Sequence, residues 1–222
     1  MSSVEAVIFD LDGVLIDSEH VWDEARREVT GELGGVWRDE ATRAMMGMSS
    51  VEWSTYMHEA LHIPLPPEAI NRRVVERMEA IYRKELPLFP GAREAVERMA
   101  AKWPLGLASS SNRELIDYVL EAADLQGNFR VTVSSEEVER GKPGPDVYLE
   151  AAWRMGVEPS ACVAIEDSGN GIRAGKAAGM RVIVIPNMVL PPEPEALALA
   201  DALVGSLEGL SVDTVDQAAS GG

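Results

Sequence analysis

The chain has 222 residues, of which 46% are hydrophobic and 26% are charged, so it can form one large domain or a core domain with a modest insertion. Its formal net charge of −17 argues against non-specific binding to nucleic acids or anionic membranes, because the field of the molecule would repel both. The single cysteine, Cys162, excludes an internal disulfide, and no apolar run approaches the roughly 18 residues of a membrane span, so we expect a cytoplasmic protein.

The first predicted element is a buried strand that ends in two carboxylates. The apolar run 4–8 and Phe9 lead directly into Asp10, Asp12 and Gly13. Alternate side chains of a strand point to one face, so the two carboxylates start on the same side before the chain turns. Crowded carboxylates are unfavourable unless a cation or a shared proton compensates them, and Mg²⁺ suits oxygen ligands of this kind. The pattern also fits an ordinary strand end followed by an acidic turn.

The next stretch, residues 17–85, carries apolar residues at three- and four-residue spacing, which indicates helices. Glycines at 34–35 and prolines within 64–67 interrupt this pattern, and no strand is apparent. From Phe89 onward, apolar runs typical of buried strands alternate with helical segments. Strands are predicted at about 105–109, 129–133, 162–166 and 181–185, and helices at about 92–101, 113–122, 145–155 and 169–178.

This alternation predicts an α/β fold with a doubly wound parallel sheet and right-handed crossovers. The helical block is then an insertion after the first strand that covers the strand ends. We expect a catalytic core made of residues 1–16 and 86–222 and a cap made of residues 17–85. The tail at 217–222 is expected to be disordered.

Two acidic pairs are predicted at one edge of the sheet, the edge where open parallel sheets bind their ligands. Asp10 and Asp12 end the first strand. Glu166 and Asp167 end the strand at 162–166, directly before a glycine-rich turn. The two pairs together predict a site for a hard divalent cation.

Two further segments offer groups that bind phosphate. Ser109 leads through Ser110 to Asn112 at the start of a helix, where hydroxyls and free backbone amides can hold an anion, although a helix N-cap would explain one of these residues. Lys142 lies in the stiff loop GKPGP, although a lone lysine is usually a solvated surface charge. Together with the acidic pairs, these groups suit phosphoryl transfer through an aspartyl-phosphate.

The chain resembles phosphatases of the haloacid dehalogenase superfamily, in the β-phosphoglucomutase-like branch, which have a Rossmann-like core and a helical cap. The matching segments are DLDGVL at 10–15, LASSS at 107–111, KP at 142–143 and EDS at 166–168. They occur in the order and spacing of the family and span most of the chain. The resemblance implies a Mg²⁺-dependent hydrolase of a small phosphorylated metabolite, with a sugar phosphate as the expected substrate and a monomer as the expected state.

The resemblance also implies roles for the four carboxylates. Asp10 would be the nucleophile and a Mg²⁺ ligand. Asp12 would protonate the leaving group, later deprotonate the attacking water, and give its backbone carbonyl to the metal. Asp167 would be the second carboxylate ligand, and Glu166 would support the metal shell.

The substrate contacts are assigned in the same way. Ser109 and Lys142 would bind the phosphoryl group and thereby take part in catalysis. Further contacts to the substrate are expected from four residues: Ser110, Asn112, Glu19 and Trp22.

Two positions separate a hydrolase from the mutases of this branch. Mutases carry a cap histidine where this chain has Trp22, and a phosphate-binding arginine where it has Ser50. Without these groups nothing obvious holds a second phosphate, so we expect hydrolysis, with a β-phosphoglucomutase-like phosphomutase as the alternative. A phospho-aspartate signalling domain is a remoter alternative, because such a domain has no helical insertion and carries its phosphorylated aspartate on a middle strand.

Overall fold

The computed structural model describes residues 3–45, 48–187 and 191–220 of the chain. A parallel sheet lies at the centre of this structure. Its strands are β1 (Ala6–Phe9), β2 (Leu105–Ser109), β3 (Phe129–Ser134), β4 (Cys162–Glu166), β5 (Arg181–Val184) and β6 (Ala202–Leu203). The order across the sheet is β3-β2-β1-β4-β5-β6, and every neighbouring pair is parallel. β1 is therefore a central strand, and its four residues are fully buried, as the continuous apolar run of a parallel sheet requires.

Helices cover both faces of this sheet, and further helices lie against its carboxyl end. Within the described ranges they are α1 (Glu19–Glu32), α2 (Ala41–Ala44), α3 (Ser50–Glu59), α4 (Pro67–Tyr82), α5 (Ala92–Ala100), α6 (Arg113–Ala122), α7 (Asp146–Met155), α8 (Gly169–Ala177), α9 (Pro194–Leu197) and α10 (Val212–Ser220). Successive side chains of β1 point to opposite faces of the sheet. Val7 and Phe9 therefore pack in one apolar cluster, and Ala6 and Ile8 pack in the other. The sheet is thus the middle layer between two layers of helices.

The first four helices form the insertion after β1. α4 packs against both α1 and α3. Side-chain hydrogen bonds join this insertion to the strand-end loops. For example, Ser50 Oγ donates to Glu136 Oε1 at 3.0 Å, and Asn112 Nδ2 donates to Asn71 Oδ1 at 3.0 Å. The inserted helices therefore lie against the carboxyl end of the sheet, where ligands bind in folds of this kind.

The structure confirms the α/β fold class and the strands and helices predicted between residues 92 and 185, each to within one residue at its ends. The expected disorder of the tail is wrong for residues 217–220, which belong to α10; residues 221–222 lie outside the described ranges. α10 contacts β5 and buries Val215 and Ala218, so tertiary packing orders this segment. The boundaries of core and cap at residues 16/17 and 85/86 stay a prediction. Among the described helices, none is long and apolar enough to cross a membrane.

Candidate active site

The candidate site lies where β1, β2 and β4 end side by side. The chain leaves β1 toward β2 and β3 on one side and later returns to place β4 on the other, so the strand order reverses at β1 and opens a crevice there. Asp10 follows β1, Ser109 ends β2 and Glu166 ends β4. The fold thus brings together residues that are far apart in the sequence.

Three buried carboxylates gather at this crevice. Asp10, Glu166 and Asp167 each place one oxygen within 4.8 Å of the others. Burial, together with the charges of Glu166 and Asp12, raises the pKa of Asp10 to about 8, and the charge of Lys142 offsets this shift only in part. Burial and the charges of Glu166 and Asp10 likewise hold the pKa of Asp167 well above its usual range. A hard divalent cation would compensate this crowded set of oxygen atoms.

Lys142 is a buried cation beside these carboxylates. Its Nζ lies 2.6 Å from Glu166 Oε1 and 3.0 Å from Asp10 Oδ1. Burial lowers the pKa of Lys142, but the charges of Asp10 and Glu166 outweigh this effect and raise the pKa above its usual value. The Tyr148 hydroxyl donates to the same Glu166 oxygen at 2.7 Å. Glu166 and Tyr148 therefore fix the ammonium group beside Asp10. This role of Tyr148 was not predicted from the sequence, because the residue lies within α7 and belongs to no recognisable motif.

The second oxygen of Glu166 is also occupied. Glu166 Oε2 accepts hydrogen bonds from the Asp167 backbone N–H at 3.1 Å, the Ser168 backbone N–H at 3.3 Å and the Ser168 hydroxyl at 3.2 Å. A Cβ atom added at Gly171 would lie within 1.9 Å of all three atoms of this carboxylate group. The glycine-rich turn therefore makes room for the Glu166 carboxylate at the N-terminus of α8.

Asp12 is held between the strand ends and the insertion. Its Oδ1 accepts hydrogen bonds from Ser18 Oγ at 2.6 Å and from Trp22 Nε1 at 3.0 Å. Its Oδ2 accepts from Ser111 Oγ at 2.6 Å and from Ser109 Oγ at 3.2 Å. The carboxylate thus accepts from two segments of the chain, the start of α1 and the end of β2. The structure adds Ser18 and Ser111 to the residues that the sequence assigned to the site.

A cavity of about 110 Å³ lies between these strand ends and the inserted helices. The core contributes Asp10, Asp12, Ser110, Lys142 and Asp167 to its walls, and α1 contributes Glu19, Trp22, Asp23 and Arg26. Ser109 and Glu166 are fully buried behind this surface. The structure thus brings nine of the ten predicted site residues to the cavity or directly behind it.

Asn112 is the exception among the predicted site residues. Its Nδ2 donates to Asn71 Oδ1 at 3.0 Å and to Glu136 Oε1 at 2.7 Å, and the residue is not part of the cavity wall. The expected contact of Asn112 with a substrate stays a prediction, and in this structure its amide joins the strand-end loops to the insertion. Its side chain is used to link α4 with the segment after β3.

Arg26 was missed by the sequence analysis. It is buried in the cavity wall, and its guanidinium carbon lies 4.6 Å from the centroid of the Trp22 ring. A signal was available, because residues four positions apart on a helix share one face and Trp22 was already a candidate. The sequence showed nothing obvious in the cap that could hold a second phosphate, whereas the structure places this cation in the cavity wall.

Comparisons with known proteins agree with this geometry. The family model of haloacid dehalogenase-like hydrolases matches residues 4–179. Hexitol phosphatase B of Escherichia coli is 39% identical over 210 residues, which cover 93% of this chain and 94% of that protein. The phosphorylated carbohydrates phosphatase of Thermotoga maritima is 38% identical over 182 residues, covering 81% and 84%. Among solved structures, a CbbY variant from Rhodobacter sphaeroides in complex with xylulose-(1,5)bisphosphate superposes with a TM-score of 0.85 at 29% identity, covering 96% and 99% of the two chains.

Proposed function

The chain belongs to the haloacid dehalogenase-like hydrolase family and is a phosphoric monoester hydrolase, and from this premise we propose that it dephosphorylates a small phosphorylated carbohydrate through an aspartyl-phosphate on Asp10. The substrate class is supported by the names of the two phosphatases that match more than four-fifths of the chain. The observation that carries the mechanism is the position of Asp10, which lies in the cavity wall with Lys142 Nζ at 3.0 Å.

In the first half of the proposed reaction, an oxygen of Asp10 attacks the phosphorus atom and a bond forms between them. The bond from phosphorus to the carbohydrate oxygen breaks, and Asp12 gives a proton to that leaving oxygen. Lys142 and the Ser109–Ser110 turn bind the phosphoryl oxygens and offset their charge. A positioned proton donor of this kind typically contributes roughly 10²- to 10⁴-fold to the rate.

In the second half, Asp12 takes a proton from a water molecule. The oxygen of that water attacks phosphorus, the bond between phosphorus and Asp10 breaks, and inorganic phosphate leaves. The hydrogen bonds from Ser18 and Trp22 hold the Asp12 carboxylate in place, and in this mechanism it would face first the leaving oxygen and then the water that replaces it. Asp10 and Asp12 return to their starting protonation states, so the cycle is balanced.

The proposed cofactor is Mg²⁺. The carboxylates of Asp10 and Asp167 and the backbone carbonyl of Asp12 would hold it, with Glu166 in support. The donor set fits, because the gathered side chains offer only oxygen ligands, which hard cations prefer, and because their crowding is unfavourable without a cation. When bound, Mg²⁺ would neutralise the phosphoryl oxygens and act as a Lewis acid.

The phosphomutase alternative is not favoured. The relatives that match most of the chain are named phosphatases. At the two positions where mutases of the branch would hold a second phosphate, Trp22 donates to Asp12 and Ser50 donates to Glu136. Neither group can neutralise a phosphate dianion. With β-glucose 1-phosphate and a trace of the 1,6-bisphosphate, we therefore expect free phosphate to accumulate faster than glucose 6-phosphate.

A substrate panel tests the proposal. Phosphate release is measured with sorbitol 6-phosphate, fructose 1-phosphate, glucose 6-phosphate and phosphoglycolate, in the presence of Mg²⁺ and after chelation. Asp10→Asn should lower the rate by at least about a thousandfold, because the nucleophile is lost. The control Asp117→Asn changes a carboxylate that is 56% exposed and remote from the cavity, and it should retain full activity.

Mass spectrometry of the acid-quenched enzyme should find a phosphoryl group on Asp10. A label on a serine or histidine would refute the assigned nucleophile. Full activity after exhaustive chelation would refute the assigned cofactor. A clear preference for phosphoglycolate over all three sugar phosphates would refute the assigned substrate class.

A further inference from the structure

Arg26 is a buried cation in the cavity wall, and one of its hydrogen-bond donors, Nε, has no acceptor among the described residues. The residue is 8% exposed, and its enclosed Nε has no hydrogen-bond partner in the part of the chain that the structure describes. The nearby carboxylates of Asp12, Asp23 and Glu19 act on the guanidinium through their charge and without hydrogen bonds. An enclosed donor without an acceptor is costly, so this arrangement points to an acceptor that a ligand supplies.

Two indole rings determine how Arg26 is held. Its guanidinium carbon lies 4.6 Å from the centroid of Trp22 and 5.1 Å from that of Trp53, and the two rings are tilted by 60°. Stacking of this kind stabilises a guanidinium through its face, while its N–H groups point outward in its own plane. The rings therefore orient Arg26 without satisfying its donors.

Burial lowers the pKa of Arg26 to about 10, although the charges of Asp12, Asp23 and Glu19 oppose this shift. The side chain is still protonated at neutral pH. It therefore keeps all its N–H donors under the conditions in which the enzyme works.

The position of Arg26 relative to the chemistry is also defined. Trp22 Nε1 donates to Asp12 Oδ1 at 3.0 Å, and the guanidinium lies over the ring of this same tryptophan. One indole ring thus separates the proposed proton donor from Arg26. A leaving group whose first oxygen lies at Asp12 would have its far end near Arg26 if it were a short carbohydrate chain.

We propose that Arg26 is a specificity-determining residue that donates hydrogen bonds to hydroxyl oxygens at the far end of a neutral sugar or polyol monophosphate. This inference rests on the proposed function. It goes further by naming the part of the leaving group that the enzyme recognises. Glu19 and Asp23 line the same cavity and offer acceptors beside the donors of Arg26. A hydroxyl group both donates and accepts, so it satisfies both kinds of neighbour, whereas these carboxylates would repel a second phosphate or a carboxylate.

The test compares substrates that differ only at the far end. Sorbitol 6-phosphate and 6-phosphogluconate share one carbon chain, but the first ends in a hydroxyl and the second in a carboxylate. Acetyl phosphate lacks this end and reports on the core chemistry alone. We expect the wild type to prefer sorbitol 6-phosphate, and Arg26→Gln to lower its kcat/KM for this substrate by roughly 10- to 100-fold, as expected for a lost hydrogen bond from a charged donor. Its kcat/KM for acetyl phosphate should stay within about twofold.

Two further variants separate recognition from a structural role. Arg26→Lys keeps the charge but lacks the planar fork, so it should recover only part of the lost activity. Arg83→Gln is the matched control, because Arg83 also lies over an aromatic ring, Tyr118 at 5.8 Å, but outside the cavity wall. This change should leave kcat/KM for all three substrates unaffected. Thermal unfolding is recorded for each variant, and if Arg26→Gln does not fold, Arg26→Lys decides with the same substrates.

The possible outcomes are distinct. An equal loss on acetyl phosphate would show that Arg26 only supports the fold or Asp12, and would overturn the inference. A wild-type preference for 6-phosphogluconate that disappears in Arg26→Gln would overturn the assignment to neutral sugars. Activity on acetyl phosphate alone would support the phosphatase and overturn this inference. No phosphate release from any of the three would contradict the proposed function itself.

Discussion

At the scale of single residues, the absence of a side chain allows the acidic groups to come together. A Cβ atom at Gly13 would lie 1.9 Å from Asp167 Oδ2, and one at Gly171 would lie 1.8 Å from Glu166 Oε1. Distances this short exclude any larger residue unless the carboxylate moves. Since Glu166 also holds Lys142, a displacement of Glu166 would be transmitted to the cation beside Asp10.

Gly171→Ala tests this dependence. We expect at least a roughly tenfold loss of kcat/KM and a loss of about 1–3 kcal/mol in the free energy of unfolding, because an added methyl group must displace a buried carboxylate. The matched control is Gly31→Ala in α1, where a Cβ atom meets nothing within 4 Å. That change should leave activity intact and stabilise the fold by up to about 1 kcal/mol, since alanine favours helix more than glycine does. Chemical denaturation and phosphate release measure both variants, and wild-type activity in Gly171→Ala would contradict the argument.

At the scale of elements, one carboxylate joins α6, β3 and α7. Glu137 accepts hydrogen bonds from Arg113 at the start of α6, from Arg154 near the end of α7 and from the Ser134 backbone N–H at the end of β3. Burial of this carboxyl group raises its pKa, but these hydrogen bonds outweigh burial and lower the pKa to about 2. Its charged form is therefore bound more tightly in the folded state than in the unfolded state.

The pH dependence of unfolding follows from this shift. A pKa that is lower in the folded state contributes stability above the unfolded value of 4.5, and this contribution disappears as the pH falls toward 2. Because the Glu137 side chain is 29% exposed, we expect solvent screening to leave about 1–2 kcal/mol at pH 7. Glu137→Gln should be destabilised by this amount at pH 7, and its difference from the wild type should shrink between pH 4.5 and 2.

The control for this measurement is Glu150→Gln. Glu150 pairs with Arg154 within α7 and does not join α7 to other elements. Its replacement should therefore lower the free energy of unfolding by about 0.5 kcal/mol or less. Urea unfolding at several pH values measures both variants. A constant difference between Glu137→Gln and the wild type across this range would contradict the assigned cause.

At the scale of the whole molecule, charge is unevenly compensated. The chain has a net charge of −17, and three of its carboxylates are buried together beside one buried lysine. A cation that binds this cluster in the folded state alone must stabilise the fold by mass action. The stability of the protein should therefore depend on the proposed cofactor independently of activity.

Mg²⁺ at about a hundred times its dissociation constant should add about 2.7 kcal/mol, which corresponds to a rise in Tm of roughly 5–10 °C for a chain of this size. Asp167→Asn should lose most of this rise, because one of the proposed ligands is removed. Asp117→Asn, which changes an exposed carboxylate, should keep it. Calorimetry with and without Mg²⁺ measures the effect. An equal rise in all three proteins would indicate non-specific screening of the negative charge and would contradict a specific site.

The sequence alone determined the order of strands and helices and most of the candidate site. The strands at 105–109 and 162–166 were predictable because a buried parallel strand needs a short continuous apolar run, which neighbouring residues display. Asp10 and Ser109 were predictable for a related reason. Both stand at a strand end, and the strand ends of a parallel sheet meet at one edge whatever the details of packing.

Only the tertiary structure decided the contacts between distant segments. Tyr148 reaches Glu166 because α7 lies against the sheet, and Asn112 turns toward Asn71 because the insertion lies above it. Helix spacing from Trp22 could place Arg26 on the cavity face, but only the structure shows that its Nε is enclosed without an acceptor among the described residues. Periodicity and strand ends are local consequences of backbone geometry, whereas burial and partner choice depend on residues far away in the chain, and those are brought together only by folding.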